Sequence, residues 1–184
     1  KFVLKKKDDK VIIITSSVAG EGKSFFSINL ALSLAMINKK VLLVGLDIRK
    51  PVLSQYLNIK AKHGITSYFV DDAITVNDIV NKQIVHENMD VIVSGPIPPN
   101  PAEILTSDRL DTLFEELRKH YDYILVDTAP VGIVADTFTL SHISDATLYV
   151  CRQGVTPREH IEILNTLEKE NRLNNVSLIL NGVD

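Results

Sequence analysis

Short apolar stretches and longer helical patterns alternate along the whole chain. Apolar runs of strand length lie at 11–15, 41–45, 89–95, 121–127, 145–151 and 176–181. Most of these runs are rich in valine, isoleucine and leucine and do not alternate strictly with polar residues, which is typical of strands buried on both faces of a parallel sheet. We therefore predict a sheet that is covered by helices on both sides.

Helical patterns separate several of these runs. Residues 23–38 form one such stretch, and residues 108–120 place four large apolar side chains on one face. A third stretch, 157–173, begins with a proline at a position where a first helical turn accepts it. The alternation predicts an α/β fold with a doubly wound, mostly parallel sheet flanked by helices. In such sheets ligands bind beyond the carboxyl ends of the strands, so the chemistry is expected there.

The overall composition narrows the possible functions. The 184 residues are 45% hydrophobic and 23% charged, which is ordinary for a globular protein and enough for one domain, 1–184. Twenty basic and 23 acidic residues give a formal net charge of -3, so we expect no nucleic-acid partner. No apolar run approaches the about 20 residues of a membrane helix. The single cysteine, Cys151, cannot form an internal disulfide and fits a reducing compartment.

The segment after the first strand has the pattern of a phosphate-binding loop. The pattern Gly-x-x-x-x-Gly-Lys-Ser/Thr is met everywhere except at its first position, where Ser17 stands. Gly20 and Gly22 supply tight turns, so that backbone N–H groups and a helix start converge on phosphate oxygens. The predicted nucleotide contacts from this segment are Ser17, Val18, Ala19, Gly20, Glu21, Gly22, Lys23, Ser24 and Phe25.

Two aspartates follow other predicted strands. Asp47 comes just after the strand at 41–45, and Asp127 ends the strand at 121–127. Either one could instead cap a turn or helix, but together with Lys23 they predict a catalytic site around a magnesium–nucleotide complex. In this interpretation Lys23 contacts the β- and γ-phosphates, and Asp47 is the candidate general base. The predicted Mg²⁺ ligands are Ser24 and, through water, Asp127 and Asp47.

Four segments carry a family resemblance: "TSSVAGEGKS", "VLLVGLDIRKP", "SGPIPPNPAEIL" and "YDYILVDTAPVGIVADT". In order and spacing they resemble the cytoplasmic domain of bacterial tyrosine kinases (BY-kinases), which accompany or belong to polysaccharide co-polymerases in capsule and exopolysaccharide export. The resemblance covers essentially the whole chain. It implies the P-loop NTPase fold of the partition and septum-site ATPases, with ATP and Mg²⁺ as cofactors. The implied activity is protein tyrosine autokinase activity, with phosphoryl transfer to tyrosines of a neighbouring chain.

Carried over by position, the resemblance assigns further roles. Lys23 and Ser24 match the Walker A lysine and Mg²⁺ ligand, and Asp47 and Asp127 match acids of the Walker A′ and Walker B elements. The family usually carries another acid at the position of Gly45. This departure leaves Asp47 as the only A′ carboxylate and raises the possibility of weakened catalysis.

Residues outside these motifs are also implied to belong to the site. Asn181 is implied to contact adenine, and Arg152 to flank the base or to act at a subunit contact. The proline-rich segment 95–105 is interpreted as a stiff wall of the site, with a purely structural connection as the alternative.

The resemblance also implies partners and a location. The chain is interpreted as the catalytic core of a longer membrane-associated protein, without the family's tyrosine-rich tail. The implied partners are further copies in a homo-oligomeric ring, their tyrosine-rich tails, and a transmembrane co-polymerase domain or activator. The implied location is cytoplasmic, at the inner face of the bacterial cell membrane. The alternative is a partition- or septum-site-like ATPase switch, but Val18 stands where that group has a signature lysine.

Overall fold

A seven-stranded sheet forms the centre of the molecule, in the computed structural model that describes residues 4–97, 104–131, 135–162 and 164–183. The strand order is β3-β4-β2-β5-β1-β6-β7, and every pairing is parallel except that of β3 with β4. The predicted doubly wound α/β class is therefore confirmed. The strands are β1 Val11–Ser16, β2 Val41–Gly45, β3 Val80–Asn81, β4 Met89–Ile92, β5 Tyr123–Asp127, β6 Ala146–Arg152 and β7 Val176–Asn181.

In the described part of the chain, helices lie between these strands. They include α1 Lys23–Met36, α2 Leu53–Tyr56, α3 Ile65–Val70, α4 Val76–Ile79, α5 Asp108–His120, the 3-10 helix Ala135–Ile143, α6 Arg158–Glu162 and α7 Leu164–Lys169. The helix predicted over 157–173 thus corresponds to α6 and α7, with residue 163 outside the described ranges. Within those ranges, no helix has the length and apolar character needed to cross a membrane.

The predicted strand at 89–95 ends its pairing three residues early, at Ile92. The reason is the start of α3, because the N–H groups of Ile65 and Thr66 donate to the carbonyls of Val93 and Ser94 at 2.9 Å. These carbonyls are therefore used by a helix start rather than by a neighbouring strand. The short elements β3 and α2 to α4 were not predicted, since each is too short to show a clear periodicity.

The central strands β1, β2, β5 and β6 are buried on both faces, as their composition predicts, whereas the edge strand β7 exposes Leu178 and Leu180. On one face α5 contributes a core stripe that comprises Leu110, Leu113, Phe114 and Leu117. On the other face α1 presents a stripe at intervals of four residues, Lys23, Ser27, Ala31 and Ala35. Small side chains in this stripe let α1 pack closely on the sheet, and they carry Lys23 into the interior at its first turn.

A carboxylate at the start of β6 joins three parts of the fold. Asp145 accepts hydrogen bonds from the N–H groups of Lys10 and Val11, at 2.7 and 2.8 Å, and from the guanidinium of Arg118, at 2.7 and 3.1 Å. Burial acts to raise the pKa of Asp145, but the hydrogen bonds from Arg118 and the two N–H groups outweigh it and hold that pKa below its usual range. Asp145 thereby links the start of β1 to α5.

We expect Asp145→Asn to lower the free energy of unfolding by on the order of 2 kcal/mol at neutral pH, because charge-assisted hydrogen bonds are lost. A lowered pKa in the folded state contributes stability above the unfolded value of about 3.9, and the contribution is lost as the pH falls through the folded value. The difference between wild type and variant should therefore be constant from about pH 5 to pH 7 and shrink at lower pH. Urea unfolding across this range measures it.

The exposed Asp8 provides the matched control for this experiment. Asp8→Asn should leave the free energy of unfolding within about 0.5 kcal/mol of wild type. A constant difference between wild type and Asp145→Asn down to about pH 2 would contradict the assigned role of Asp145.

Candidate active site

The loop between β1 and α1 turns through two glycines with left-handed backbone angles. Gly20 has φ 88° and Gly22 has φ 90°. A Cβ atom at Gly22 would clash with Nδ2 of Asn181, so a side chain here would displace that amide from the loop. Helix α1 begins at Lys23, immediately after the loop. The loop N–H groups therefore meet the positive end of a helix dipole, which is an arrangement that binds anions.

A cavity of about 380 Å³ opens beside this loop. It is lined by Ser16, Val18, Ala19, Gly20, Glu21, Gly22, Lys23, Ser24, Phe25, Asp47, Arg49, Lys50, Val52, Tyr56, Ala129 and Pro130. The structure thus places the predicted loop contacts from Val18 to Phe25 on the cavity wall, together with Asp47. Three other predicted nucleotide contacts, Ser17, Arg152 and Asn181, are not among the lining residues.

A buried ion pair lies at the base of the loop. Nζ of Lys23 is 2.8 Å from Oδ1 of Asp127 and 3.9 Å from Oδ2 of Asp47, and it donates to Oγ of Ser24 at 3.3 Å. Lys23 is 7% exposed and Asp127 is 1% exposed. Burying either charge alone would cost free energy, and the opposite charge of its partner offsets that cost. The predicted catalytic and metal-binding residues are therefore neighbours in space.

The strand order explains this convergence. Strands β2, β5 and β1 are adjacent, and Asp127 is in register with Ile14 of β1 and with Gly45 of β2. Beyond β2, the N–H groups of Leu46 and Asp47 donate to the carbonyl of Asp127 at 2.8 and 3.0 Å. The chain that carries Asp47 is thus attached directly to the end of β5.

Two further groups hold the carboxylates, and the sequence analysis predicted neither of these contacts. The hydroxyl of Ser27 donates to Oδ1 of Asp127 at 3.2 Å, and the N–H of Lys50 donates to Oδ1 of Asp47 at 3.0 Å. Ser27 lies one helical turn after Lys23, and this spacing of four residues was the signal for its position on the same face of α1. Asp47 is 9% exposed and forms part of the cavity wall, whereas Asp127 is buried and is not among the lining residues.

Gly45 is closely packed against Leu53 and Ser94. A Cβ atom there would lie 3.2 Å from Cδ1 of Leu53 and 3.3 Å from Oγ of Ser94. The hydroxyl of Ser94 in turn donates to the carbonyl of Gly45 at 2.9 Å. An acidic side chain at this position would require both neighbours to move. The surroundings of Gly45 therefore fit the glycine of this chain better than the acid that the family usually carries.

The oxygen atoms around Lys23 fit a magnesium ion. Mg²⁺ prefers oxygen ligands and is usually held by one or two carboxylates together with substrate phosphates. Ser24, Asp47 and Asp127 supply a hydroxyl and two carboxylates next to the phosphate loop. In the part of the chain that the structure describes, no group of three or more His, Cys, Asp or Glu side chains forms a complete metal site. Phosphate oxygens of a bound nucleotide would therefore supply the remaining ligands of a metal held by these three residues.

The serine at the first position of the loop pattern has a definite partner. The hydroxyl of Ser17 donates to Oε1 of Glu21 at 2.7 Å, and the N–H of Val18 donates to Oε2 of the same carboxylate at 2.8 Å. Thr156, which the sequence interpretation had not assigned, donates its hydroxyl to Glu21 as well. No local pattern indicates this contact, since 135 residues separate Thr156 from Glu21.

Arg152 and Asn181 are attached to the loop itself. Nη1 of Arg152 donates to the carbonyl of Gly20 at 3.0 Å, and Nδ2 of Asn181 donates to the carbonyl of Glu21 at 2.9 Å. The implied contact of Asn181 with adenine stays a prediction, and so does the role of Arg152 beside the base or at a subunit contact. Most of the predicted proline-rich wall, residues 98–103, lies outside the described ranges.

Comparison with known proteins agrees with this geometry. The sequence matches the AAA domain family over residues 9–154. The tyrosine-protein kinase CpsD of Streptococcus pneumoniae is 37% identical over 89% of this chain and 72% of that protein. The tyrosine-protein kinase etk of Escherichia coli strain K12 is 30% identical over 99% of this chain, which spans only 25% of that longer protein.

A solved structure shows the same arrangement of elements. The kinase domain of the Escherichia coli tyrosine kinase ETK has a TM-score of 0.90 at 28% identity, covering 97% of this chain and 69% of that chain. Sequence and structure thus agree over nearly the whole length. The chain belongs to the AAA domain family and, within it, to the bacterial tyrosine-protein kinases.

Proposed function

We propose that residues 1–184 act as one kinase domain that transfers the γ-phosphoryl group of ATP to a tyrosine hydroxyl of a neighbouring chain. The observation that best supports this proposal is the position of Asp47. Its carboxylate forms part of the cavity wall beside the phosphate loop, with Nζ of Lys23 3.9 Å away. A carboxylate there is within reach of an incoming hydroxyl, and a cation is available for phosphate charge.

The proposed step forms a bond between the tyrosine oxygen and the γ-phosphorus, and it breaks the bond from that phosphorus to the oxygen of the β-phosphate. ADP leaves, and Asp47 accepts the tyrosine proton. Lys23 and the loop N–H groups stabilise the negative charge of the transferring group. Ser24, Asp47 and Asp127 are the proposed holders of Mg²⁺. When bound, this ion neutralises charge on the phosphate oxygens.

We further propose a biological setting for this activity. The resemblance in the four motif segments supports a role in regulating capsular or exopolysaccharide synthesis and export. The proposed assembly is a homo-oligomer whose tyrosine-rich tails are the acceptors, at the inner face of the cell membrane. A transmembrane co-polymerase domain or a separate activator is the proposed membrane partner.

The role of Asp47 leads to the first test. Asp47→Asn should lower tyrosine phosphorylation by about 10²- to 10⁴-fold, because the proton acceptor is lost. The affinity for ATP measured without Mg²⁺ should stay within about threefold, since the phosphate loop is unchanged and the proposed metal contact of Asp47 does not contribute. Phosphotyrosine is measured by intact mass and by antibody, with a glutamate–tyrosine copolymer as acceptor. ATP affinity is measured by calorimetry.

The exposed Asp8→Asn variant is the control and should phosphorylate as wild type does. Release of inorganic phosphate is followed in parallel. ATP turnover by wild type without any phosphotyrosine would reject the kinase proposal in favour of the ATPase switch. An Asp47→Asn variant with full kinase activity would reject Asp47 as the base.

The proposed metal holders lead to a second test. Chelation by EDTA should abolish phosphorylation, and added Mg²⁺ should restore it. Asp127→Asn should raise the Mg²⁺ concentration for half-maximal activity by about tenfold or more, because outer ligands of metal sites contribute on this scale. A variant with an unchanged Mg²⁺ requirement would count against Asp127 as a holder of the ion.

A further inference from the structure

Glu21 has a fully buried carboxylate beneath the phosphate loop, with 0% exposure. Its hydrogen-bond donors are the hydroxyls of Ser17 and Thr156 and the N–H of Val18, and all three are neutral groups. Burying a carboxylate costs free energy, and here it lies next to a loop built to bind another anion. The charge of such a group opposes phosphate binding, so a favourable effect of Glu21 on binding has to come from the shape that it gives the loop.

The hydrogen bonds of the loop carbonyls indicate how the shape of the loop favours phosphate binding. The carbonyls of Gly20 and Glu21 accept from Arg152 and Asn181, and both therefore point toward the ends of β6 and β7. In a trans peptide the C=O and the N–H point in opposite directions. The N–H groups of Glu21 and Gly22, which share these two peptides, are consequently turned away from β6 and β7. This orientation makes them available for phosphate oxygens.

The ends of β6 and β7 form one rigid support for these contacts. Arg152 and Asn181 are paired in register across the two strands. The N–H of Arg152 also donates to the hydroxyl of Thr156 at 2.7 Å, so the turn after β6 is closed on itself. The hydroxyl of Thr156 in turn donates to the carboxylate of Glu21, which connects this turn to the phosphate loop. Side chains of three residues thus connect the loop to the two strands.

We propose that Glu21 is a positioning residue that holds the phosphate loop in its nucleotide-binding form, with Ser17 and Thr156 as its required donors. The inference rests on the proposed nucleotide site but not on the identity of the phosphate acceptor. It gives a physical reason for Ser17. A glycine there would match the general loop pattern but would remove a donor from Glu21.

The charge of Glu21 also acts on two neighbouring buried side chains. Tyr149 is 1% exposed, and burial together with the charge of Glu21 raises the pKa of its hydroxyl. Burial and then the charge of Glu21 raise the pKa of the neighbouring Cys151 thiol, which keeps the thiol protonated. Both side chains stay protonated and uncharged, and the Glu21 carboxylate is stabilised by the hydrogen bonds from Ser17, Val18 and Thr156.

The test compares two threonines of one region. Thr156→Val removes the hydroxyl that donates to Glu21. Thr147→Val makes the same change on β6, at a buried hydroxyl that has no hydrogen-bond partner in the described part of the chain. Thr156→Ser keeps the hydroxyl and serves as the conservative rescue. Glu21→Gln and Ser17→Gly complete the set. The affinity for ATP and the melting temperature without nucleotide are measured for each.

We expect Thr156→Val, Glu21→Gln and Ser17→Gly each to weaken ATP binding by about tenfold, as for the loss of a hydrogen bond to a charged group. Thr147→Val and Thr156→Ser should stay within about twofold of wild type. The loss should persist at temperatures well below the melting temperature of each variant, which a merely structural role would not produce. Where kinase activity is present, KM for ATP should rise more than kcat falls.

Opposite results would overturn the inference. Unchanged ATP affinity in Glu21→Gln and Thr156→Val would reject it, and so would tighter binding by Ser17→Gly. If Thr156→Val does not fold, Thr156→Ser, Glu21→Gln and Ser17→Gly still decide. If the wild-type chain binds ATP but never phosphorylates tyrosine, the proposed kinase activity is rejected. The role of Glu21 is then still decided by the ATP affinities of the variants. A wild-type chain that binds no ATP would reject both.

Discussion

The buried ion pair between Lys23 and Asp127 is the constraint on which the other parts of the site depend. Its 2.8 Å contact joins the first turn of α1 to the end of β5 across 104 residues. A lysine ammonium at 7% exposure needs a carboxylate, and a carboxylate at 1% exposure needs a cation. The pair is satisfied only if α1 lies close to the sheet, which explains the small side chains of the α1 stripe.

The second aspartate follows from the same geometry. Once β5 stands between β1 and β2, the carbonyl of Asp127 accepts the N–H groups of Leu46 and Asp47, and the carboxylate of Asp47 comes near Lys23. Ser94 fixes this segment from the other side by donating to the carbonyls of Gly45 and Asp47 at 2.9 and 3.3 Å. Gly45 is thus part of a packed junction, and the space for a larger side chain there is already occupied.

Hydrogen bonds, rather than an ion pair, support the phosphate loop. Its carbonyls are held from the side of β6 and β7, and its acidic residue is held from beneath by neutral donors. Lys23, the cation of the buried ion pair, lies at the opposite end of the loop, near β5. The two supports meet at Gly22, where the left-handed backbone and the contact with Asn181 disfavour any side chain.

The sequence by itself determined the features that depend on neighbouring residues. The buried strands, the long helices α1 and α5, the glycine turns and the residues at the strand ends all follow from local periodicity and spacing, and the structure has them near the predicted positions. The family resemblance added the strand ends Arg152 and Asn181, though not what they contact. The short elements β3 and α2 to α4 carry too few residues to show a period.

Tertiary structure alone decided the contacts between distant parts of the chain. The order β2-β5-β1 brings Asp47, Asp127 and Lys23 together, and the pairing of β6 with β7 brings Thr156 and Asn181 to a loop 135 and 160 residues away. The physical reason is that a buried polar group must find its partner wherever the packed core allows, and this partner has no fixed spacing along the chain. The serine in the loop pattern is therefore explained only by the folded molecule.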